Sequence, residues 1–149
     1  MRTLPVFIAL AALISGLTGC VYPLTRERTG EVGSRAQAFV QYGLDRRAEA
    51  YLVCVYHAEM TGSAKNEVEI RATVVDRIKG PKQVGESLSF KRVSDSGDWD
   101  LTALRGKLLY IFLDQDEDGQ IGVDSQDPGA VYEFAVELQT IVGMYKREG

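Results

Sequence analysis

Seven residues decide the fold class of this chain: Ala50-Tyr51-Leu52-Val53-Cys54-Val55-Tyr56. All seven are apolar or aromatic, so an extended strand here would be buried on both faces, as in the centre of a sheet. The stretch from Glu67 to Ile78 alternates instead, which indicates a strand with one buried face. Its apolar face holds Val68, Ile70, Ala72 and Val74. The alternation breaks at Val75-Asp76, and a bulge there would re-aim Ile78.

Three more strands are predicted downstream, at residues 86–93, 107–113 and 131–138. The tail, residues 139–149, is expected to extend the last strand or to pack as a short cap. A short helix is predicted from Ser34 to about Ala48, because Ala36, Phe39, Val40 and Leu44 repeat at helical spacing. Five strands with few helical connections predict an all-β fold. A small antiparallel barrel with a short N-terminal helix is the first choice, and a β-sandwich is the alternative.

The segment 50–113 resembles netrin-like domains of the tissue-inhibitor type, which have an OB-like barrel. The resemblance rests on Ala50-Tyr51-Leu52-Val53, on Asp76-Arg77-Ile78-Lys79-Gly80 and on Gly106-Lys107-Leu108-Leu109-Tyr110-Ile111-Phe112-Leu113. The disulfides of that family have no counterparts in this sequence. Its inhibitory amino terminus has no match either, so no inhibitory residue is carried over.

The head of the chain has the three parts of an export signal. Arg2 gives a positive start, an apolar run from Leu4 to Leu17 follows, and Leu17-Thr18-Gly19-Cys20 ends it with small residues and a cysteine. The apolar run is shorter than the roughly 20 residues that span a bilayer. These residues resemble a bacterial lipoprotein signal peptide. An ordinary secretory signal or a buried N-terminal helix is the alternative.

The resemblance to lipoproteins implies a chemistry and an address. It implies a diacylglycerol attached to Cys20 by a thioether, cleavage before Cys20, and acylation of the new amino terminus, as with palmitate. Residues 1–19 are then the signal peptide, residues 20–33 a tether and residues 34–149 a single β-rich domain. Val21 stands where an Asp would favour retention in the inner membrane, so the resemblance implies an outer-membrane protein that faces the periplasm.

Composition limits the partners and the covalent chemistry. The chain has 17 basic and 21 acidic residues, and Arg2 is the one charged residue before Cys20. The mature chain would therefore have 16 basic and 21 acidic residues, a formal net charge of −5. A mildly acidic chain lacks the basic stripe that nucleic-acid binding needs. With Cys20 acylated, Cys54 is the remaining cysteine, which excludes a disulfide within the mature chain. In its apolar run, Cys54 is expected to behave as a small buried hydrophobe.

One acidic segment has the composition of a metal site: Asp114-Gln115-Asp116-Glu117-Asp118-Gly119-Gln120-Ile121. Its spacing, D-x-D-x-D-G, begins like an EF-hand loop, and without a cation such close carboxylates would repel one another. Position twelve is Ser125 instead of Glu, so a later carboxylate, Asp124 or Asp127, would have to complete the site. The sequence therefore predicts either a structural calcium site at Asp114, Asp116, Asp118 and Asp124, or a solvated acidic hairpin.

The residues that catalysis would need are few. His57 is the one histidine, and in a regular strand it shares a face with Val55 and Glu59, while Cys54 lies on the opposite face. A zinc site needs three or four ligands, and one histidine with one remaining cysteine provides too few of the usual ones. Asp98 and Asp100 flank Trp99, an arrangement found in sugar-binding loops and more often in an ordinary turn with an aromatic anchor.

We therefore expect a non-enzymatic binding or scaffolding domain, attached to the cell envelope through the lipid on Cys20. Another envelope protein is a candidate partner. The alternatives are a calcium-stabilised binding module and an envelope enzyme or inhibitor of unrecognised type. A pocket lined by His57, Glu59 or Asp98 together with Trp99 would favour the enzyme.

Overall fold

The computed structural model describes residues 34–62, 66–94 and 99–149. The predicted signal peptide, the predicted tether and Asp98 lie outside these residues. Helix α1 (Ser34–Arg46) is followed by strands β1 (Glu49–Met60), β2 (Glu67–Lys79) and β3 (Ser87–Val93), the short helix α2 (Leu101–Leu104), and strands β4 (Leu108–Gln115) and β5 (Ile121–Gly122). A 3₁₀ helix (Pro128–Ala130), strand β6 (Val131–Glu133) and helix α3 (Val136–Glu148) complete the described chain.

The strands form one six-stranded sheet in the order β3-β2-β1-β4-β5, with β6 also paired to β4. Every pairing among the described residues is antiparallel. The prediction that Ala50 to Tyr56 forms a central strand is confirmed, because β1 lies between β2 and β4. A β-rich antiparallel fold is confirmed as well. The sheet is open, since β3 pairs only with β2 within the described chain, so it is not the closed OB-like barrel that the sequence favoured.

Strand β2 carries bulges in its pairing with β1. Leu52 pairs with Asp76 while the next residue, Val53, pairs with Val74, so Val75 is the extra residue. This is the bulge expected at Val75-Asp76. It sends Val74 into one core and lets Ile78 pack against the other. A bulge locally increases twist and re-aims the side chains that follow it.

The sheet has a core on each face because β4 alternates between them. Leu109, Ile111 and Leu113 enter the first core, which the apolar faces of β1, β2 and β3 share with Leu104 and Val131. Tyr110 and Phe112 enter the second core, which helices α1 and α3 cover. Trp99, Leu101 and Val123 pack at the margin of the first core. Within the described chain, no helix has the length and apolar character needed to cross a membrane.

Two predictions about the C-terminal part are wrong. The last strand ends at Glu133 instead of Leu138, and the tail forms the 13-residue helix α3 instead of a strand extension or short cap. Leu138 and Val142 are the buried residues of α3, and Tyr145 packs beside them, which is a helical spacing. The alternation of Tyr132, Phe134 and Val136 continued the strand pattern by coincidence across the start of the helix.

We predict that Gly43→Ala destabilises the domain by about 1–3 kcal/mol, the usual range for overpacking. Gly43 lies in α1, and an added Cβ would lie 2.7 Å from Cδ1 of Phe112. Gly143 in α3 has open space at the same position and is the matched control. Gly143→Ala should stabilise by about 0.5–1 kcal/mol, because glycine is costly in a helix. Urea unfolding measures both, and equal effects would contradict this packing.

Candidate functional site

The acidic segment forms a hairpin that stabilises itself with its own carboxylates. Asp116 is central: its Oδ1 accepts hydrogen bonds from the backbone N–H of Asp118 at 3.0 Å and of Gln120 at 2.8 Å. Its backbone N–H donates to the Gln120 carbonyl at 2.9 Å. Gly119 has φ +80°, a conformation that favours glycine and permits the sharp bend. The Gly of the D-x-D-x-D-G pattern thus serves a hairpin turn.

A second turn follows at residues 124–129 and uses the same chemistry. Oδ1 of Asp124 accepts from the backbone N–H of Gln126 at 2.9 Å, and Oδ1 of Asp127 accepts from the N–H of Gly129 at 2.7 Å. Asp127 thereby caps the 3₁₀ helix, whose first residue is Pro128. Aspartates bind nearby backbone N–H groups readily, which is why they are common in turns.

Arg47 supplies positive charge from outside the hairpin. It follows helix α1, and its guanidinium lies 2.6 Å from Oδ2 of Asp114 and 2.5 Å from Oδ2 of Asp127. One arginine therefore joins the end of β4 to the second turn. Lys79 fixes the backbone from which Arg47 projects, because its Nζ donates to the Arg47 carbonyl at 2.6 Å.

Arg92 supplies a second positive charge, from beneath the segment. It is 2% exposed, and its Nη1 donates to the carbonyls of Asp124 at 2.6 Å and of Asp127 at 2.9 Å. Its Nε has no hydrogen-bond partner in the structure. Burial lowers the pKa of the Arg92 guanidinium, and the nearby charges of Asp127 and Asp124 oppose that shift. The guanidinium stays charged at this depth, because an arginine side chain is not deprotonated in proteins.

These contacts give the predicted calcium ligands other partners. Asp114 binds Arg47, while Asp116 and Asp124 bind backbone N–H groups. Asp118 is exposed, and its backbone, not its carboxylate, bonds Asp116. No group of three or more His, Cys, Asp or Glu residues within the described ranges is arranged to hold a metal ion. The repulsion that a cation was expected to relieve is relieved in part by Arg47 and Arg92, and calcium binding stays a prediction.

An open concavity lies beside the hairpin. It has a volume of about 310 Å³ and is lined by, among others, Arg47, Asp114, Gln115, Gln120, Ile121 and Val123. Both charge signs and two apolar side chains therefore face one space. Ile121 is 42% exposed at its margin.

Helix α1 presents two exposed aromatic rings next to arginines. Phe39 is 37% exposed and Tyr42 is 55% exposed. The Arg35 guanidinium lies 5.6 Å from the centre of the Phe39 ring, and the Arg47 guanidinium lies 5.8 Å from the centre of the Tyr42 ring. Both distances are within the range of a cation–π interaction. Phe39 is one of the four apolar residues whose spacing predicted the helix, and it lies at the surface while the other three are buried.

The other candidate residues do not converge on one pocket. The bulge at Tyr56 reverses the faces of β1, so that Ala58 enters the first core while His57 pairs with Glu59 at 3.4 Å. The expectation that His57 shares a face with Val55 is therefore wrong. Cys54 is a half-buried free thiol, so it is less buried than expected.

Trp99 and Asp100 have structural partners. The indole N–H of Trp99 donates to the Asn66 carbonyl at 2.8 Å, and the ring packs against the first core. Asp100 caps helix α2 by accepting from the N–H of Ala103 at 3.0 Å. Both contacts agree with an ordinary turn and an aromatic anchor.

Comparison with known proteins finds no match for this chain, either among models of protein families or among curated proteins.

Arg47 and Arg92, which hold the acidic segment, were not predicted from the sequence. The ion pairs of Arg47 span 67 and 80 residues, so no local pattern shows them. Arg92 did leave a signal, because it continues the apolar face of Leu88 and Phe90 in β3. A charged residue on a buried face requires partners nearby.

We predict that Arg92→Met lowers the free energy of unfolding by about 3 kcal/mol or more. Methionine keeps the apolar stem but leaves the carbonyls of Asp124 and Asp127 without their charged donor, and each such bond contributes about 1.5–3 kcal/mol. Hydrogen exchange of the backbone N–H groups at 124–129 should also accelerate. Lys91→Met, at an exposed position of the same strand, is the control. Unchanged exchange in Arg92→Met would contradict this role.

A second experiment separates turn formation from calcium binding. We predict that Asp116→Ala lowers the melting temperature by roughly 2–4 °C even with chelator present, because two backbone N–H groups lose their acceptor. Asp118→Ala should melt like the unmodified protein in chelator. If calcium binds this loop, calcium raises the melting temperature of the unmodified protein and not of Asp118→Ala. Identical curves with calcium and with chelator would exclude the calcium site.

Proposed function

We propose that this chain is a cell-envelope lipoprotein whose domain, residues 34–149, performs a non-enzymatic binding or scaffolding role. The observation that carries the proposal is the sequence Leu17-Thr18-Gly19-Cys20 at the end of an apolar run. Acylation of Cys20 attaches the domain to a membrane, and Val21 favours the outer membrane with the domain facing the periplasm. Two or more acyl chains are needed for stable anchoring, because a single chain binds reversibly.

The chemistry of the described domain supports a binding role over a catalytic one. The acids at 114, 116, 124 and 127 are engaged in turns and ion pairs, and His57 pairs with a surface glutamate. The first core covers one face of the sheet with apolar side chains. The exposed features of the described domain include two aromatic rings beside arginines and a concavity of mixed polarity, which suit contact with another molecule.

The lipid anchor is tested by mass spectrometry of the protein from its native host. We predict that the mature chain begins at Cys20 and carries the mass of a diacylglycerol on that residue. Cys20→Ser should carry neither the modification nor the cleavage. Cys54→Ser should keep both and is the matched control. An unmodified Cys20, or a leader that stays attached, would refute the proposed anchor.

A further inference from the structure

Helix α1 carries a stripe of four exposed residues, Arg35, Phe39, Tyr42 and Arg46, which we call the α1 stripe. Their spacing of four, three and four residues places all four on one side of a helix with 3.6 residues per turn. The buried residues of α1, Ala36, Val40, Gly43 and Leu44, occupy another side. The stripe is therefore a surface of two central rings between two terminal cations.

The charges of the α1 stripe are available to an outside partner. Among the described residues, the structure shows no ion pair for Arg35 or Arg46, whereas Arg47 is joined to Asp114 and Asp127. Asp45 is the one acid in the helix, and it bonds Gln41 beside the stripe at 3.2 Å. Arg47 thus compensates two acids of the neighbouring hairpin, while the arginines of the stripe keep their charge for other contacts.

The position of the α1 stripe in the chain, close to Cys20, indicates that a membrane surface is its partner. Thirteen residues, 21–33, separate Cys20 from the first residue of α1. Fully extended, they reach at most about 45 Å, so α1 stays close to any bilayer that holds Cys20. Residues 21–33 hold two arginines and two glutamates, so this segment adds no net charge and the positive charge at this end of the chain is that of the α1 stripe. Aromatic rings and long basic side chains are the groups that settle at the headgroup level of a membrane, with rings in the boundary and guanidinium groups on anionic lipids.

We propose that the α1 stripe docks on anionic phospholipid headgroups of the membrane that holds the lipid on Cys20. The rings of Phe39 and Tyr42 insert at the boundary, and Arg35 and Arg46 bind phosphate groups on either side of them. The inference rests on the proposed lipid anchor and adds an orientation to it. The domain lies with α1 against the bilayer instead of moving freely on its tether.

Hydroxyl-radical footprinting of the acylated full-length mature protein tests the orientation without a reporter mutation. Tyr42 is 55% exposed and Tyr56, on β1, is 51% exposed, so the ratio of their oxidation rates is an internal control. The protein is placed in detergent micelles, in vesicles of phosphatidylcholine, and in vesicles that also contain phosphatidylglycerol. Each arginine at an anionic surface contributes about a fivefold gain in surface binding, so with two arginines we expect the Tyr42 to Tyr56 ratio to fall by at least about fivefold in the phosphatidylglycerol vesicles alone.

Charge reversal supplies the matched variants. Arg35→Glu with Arg46→Glu should restore the ratio to its detergent value. Arg105→Glu with Arg147→Glu changes the net charge equally at exposed positions outside α1, and it should leave the protection intact. Vesicle flotation of the same samples measures separately whether the protein is attached to the membrane. Protein that floats with an unprotected Tyr42 overturns the docking and leaves the anchor standing, whereas protein that does not float refutes the anchor.

Two further outcomes overturn the docking. Protection of Tyr42 that is equal in phosphatidylcholine vesicles would mean that anionic headgroups are not the partner. Protection that persists in micelles and increases with protein concentration would mean that a second copy of the chain covers the stripe.

Discussion

The buried guanidinium of Arg92 holds the turn at residues 124–129, whose position the sequence pattern does not predict. Arg92 donates to the carbonyls of Asp124 and Asp127 and so fixes the second turn against the sheet. With that backbone in place, the carboxylate of Asp127 lies within reach of Arg47 at the end of α1. Val131, four residues after Asp127, packs in the first core. A buried guanidinium is costly unless it is hydrogen-bonded, which gives the segment a strong preference for this one conformation.

The arginines of this domain have two different roles. Arg47 and Arg92 bind the acidic segment and contribute to its order, so their charges are largely compensated within the domain. Arg35 and Arg46 are exposed on α1, next to the rings of Phe39 and Tyr42. The net charge of the chain does not show this division, because a chain with a formal net charge of −4 still presents a basic and aromatic surface on α1. Local distribution of charge, more than its sum, decides which surface approaches an anionic partner.

Bulges explain where the alternation of apolar and polar residues predicted the face of a strand residue correctly and where it did not. In β2 the break at Val75-Asp76 was visible, because two consecutive residues left the pattern, and the bulge lies there. In β1 every residue from Ala50 to Tyr56 is apolar or aromatic, so no alternation existed to be broken at Tyr56. His57 was therefore expected on the face of Val55, as in a regular strand, whereas the bulge places it on the opposite face. Helix α3 was missed for a related reason, since Tyr132, Phe134 and Val136 satisfy a period of two across a helix start.

The amino-acid sequence by itself determined the β-rich antiparallel class, the central position of β1, the apolar face of β2 and the existence of the N-terminal helix. These features follow from short-range periodicity, which is written in neighbouring residues. Only the tertiary structure decided that the sheet stays open, that a C-terminal helix covers one face, and that Arg47 and Arg92 compensate the acidic hairpin. All three depend on contacts between distant parts of the chain, and the arginine contacts alone join residues 32 to 80 positions apart. The energy of such pairs comes from burial and proximity that no local pattern records.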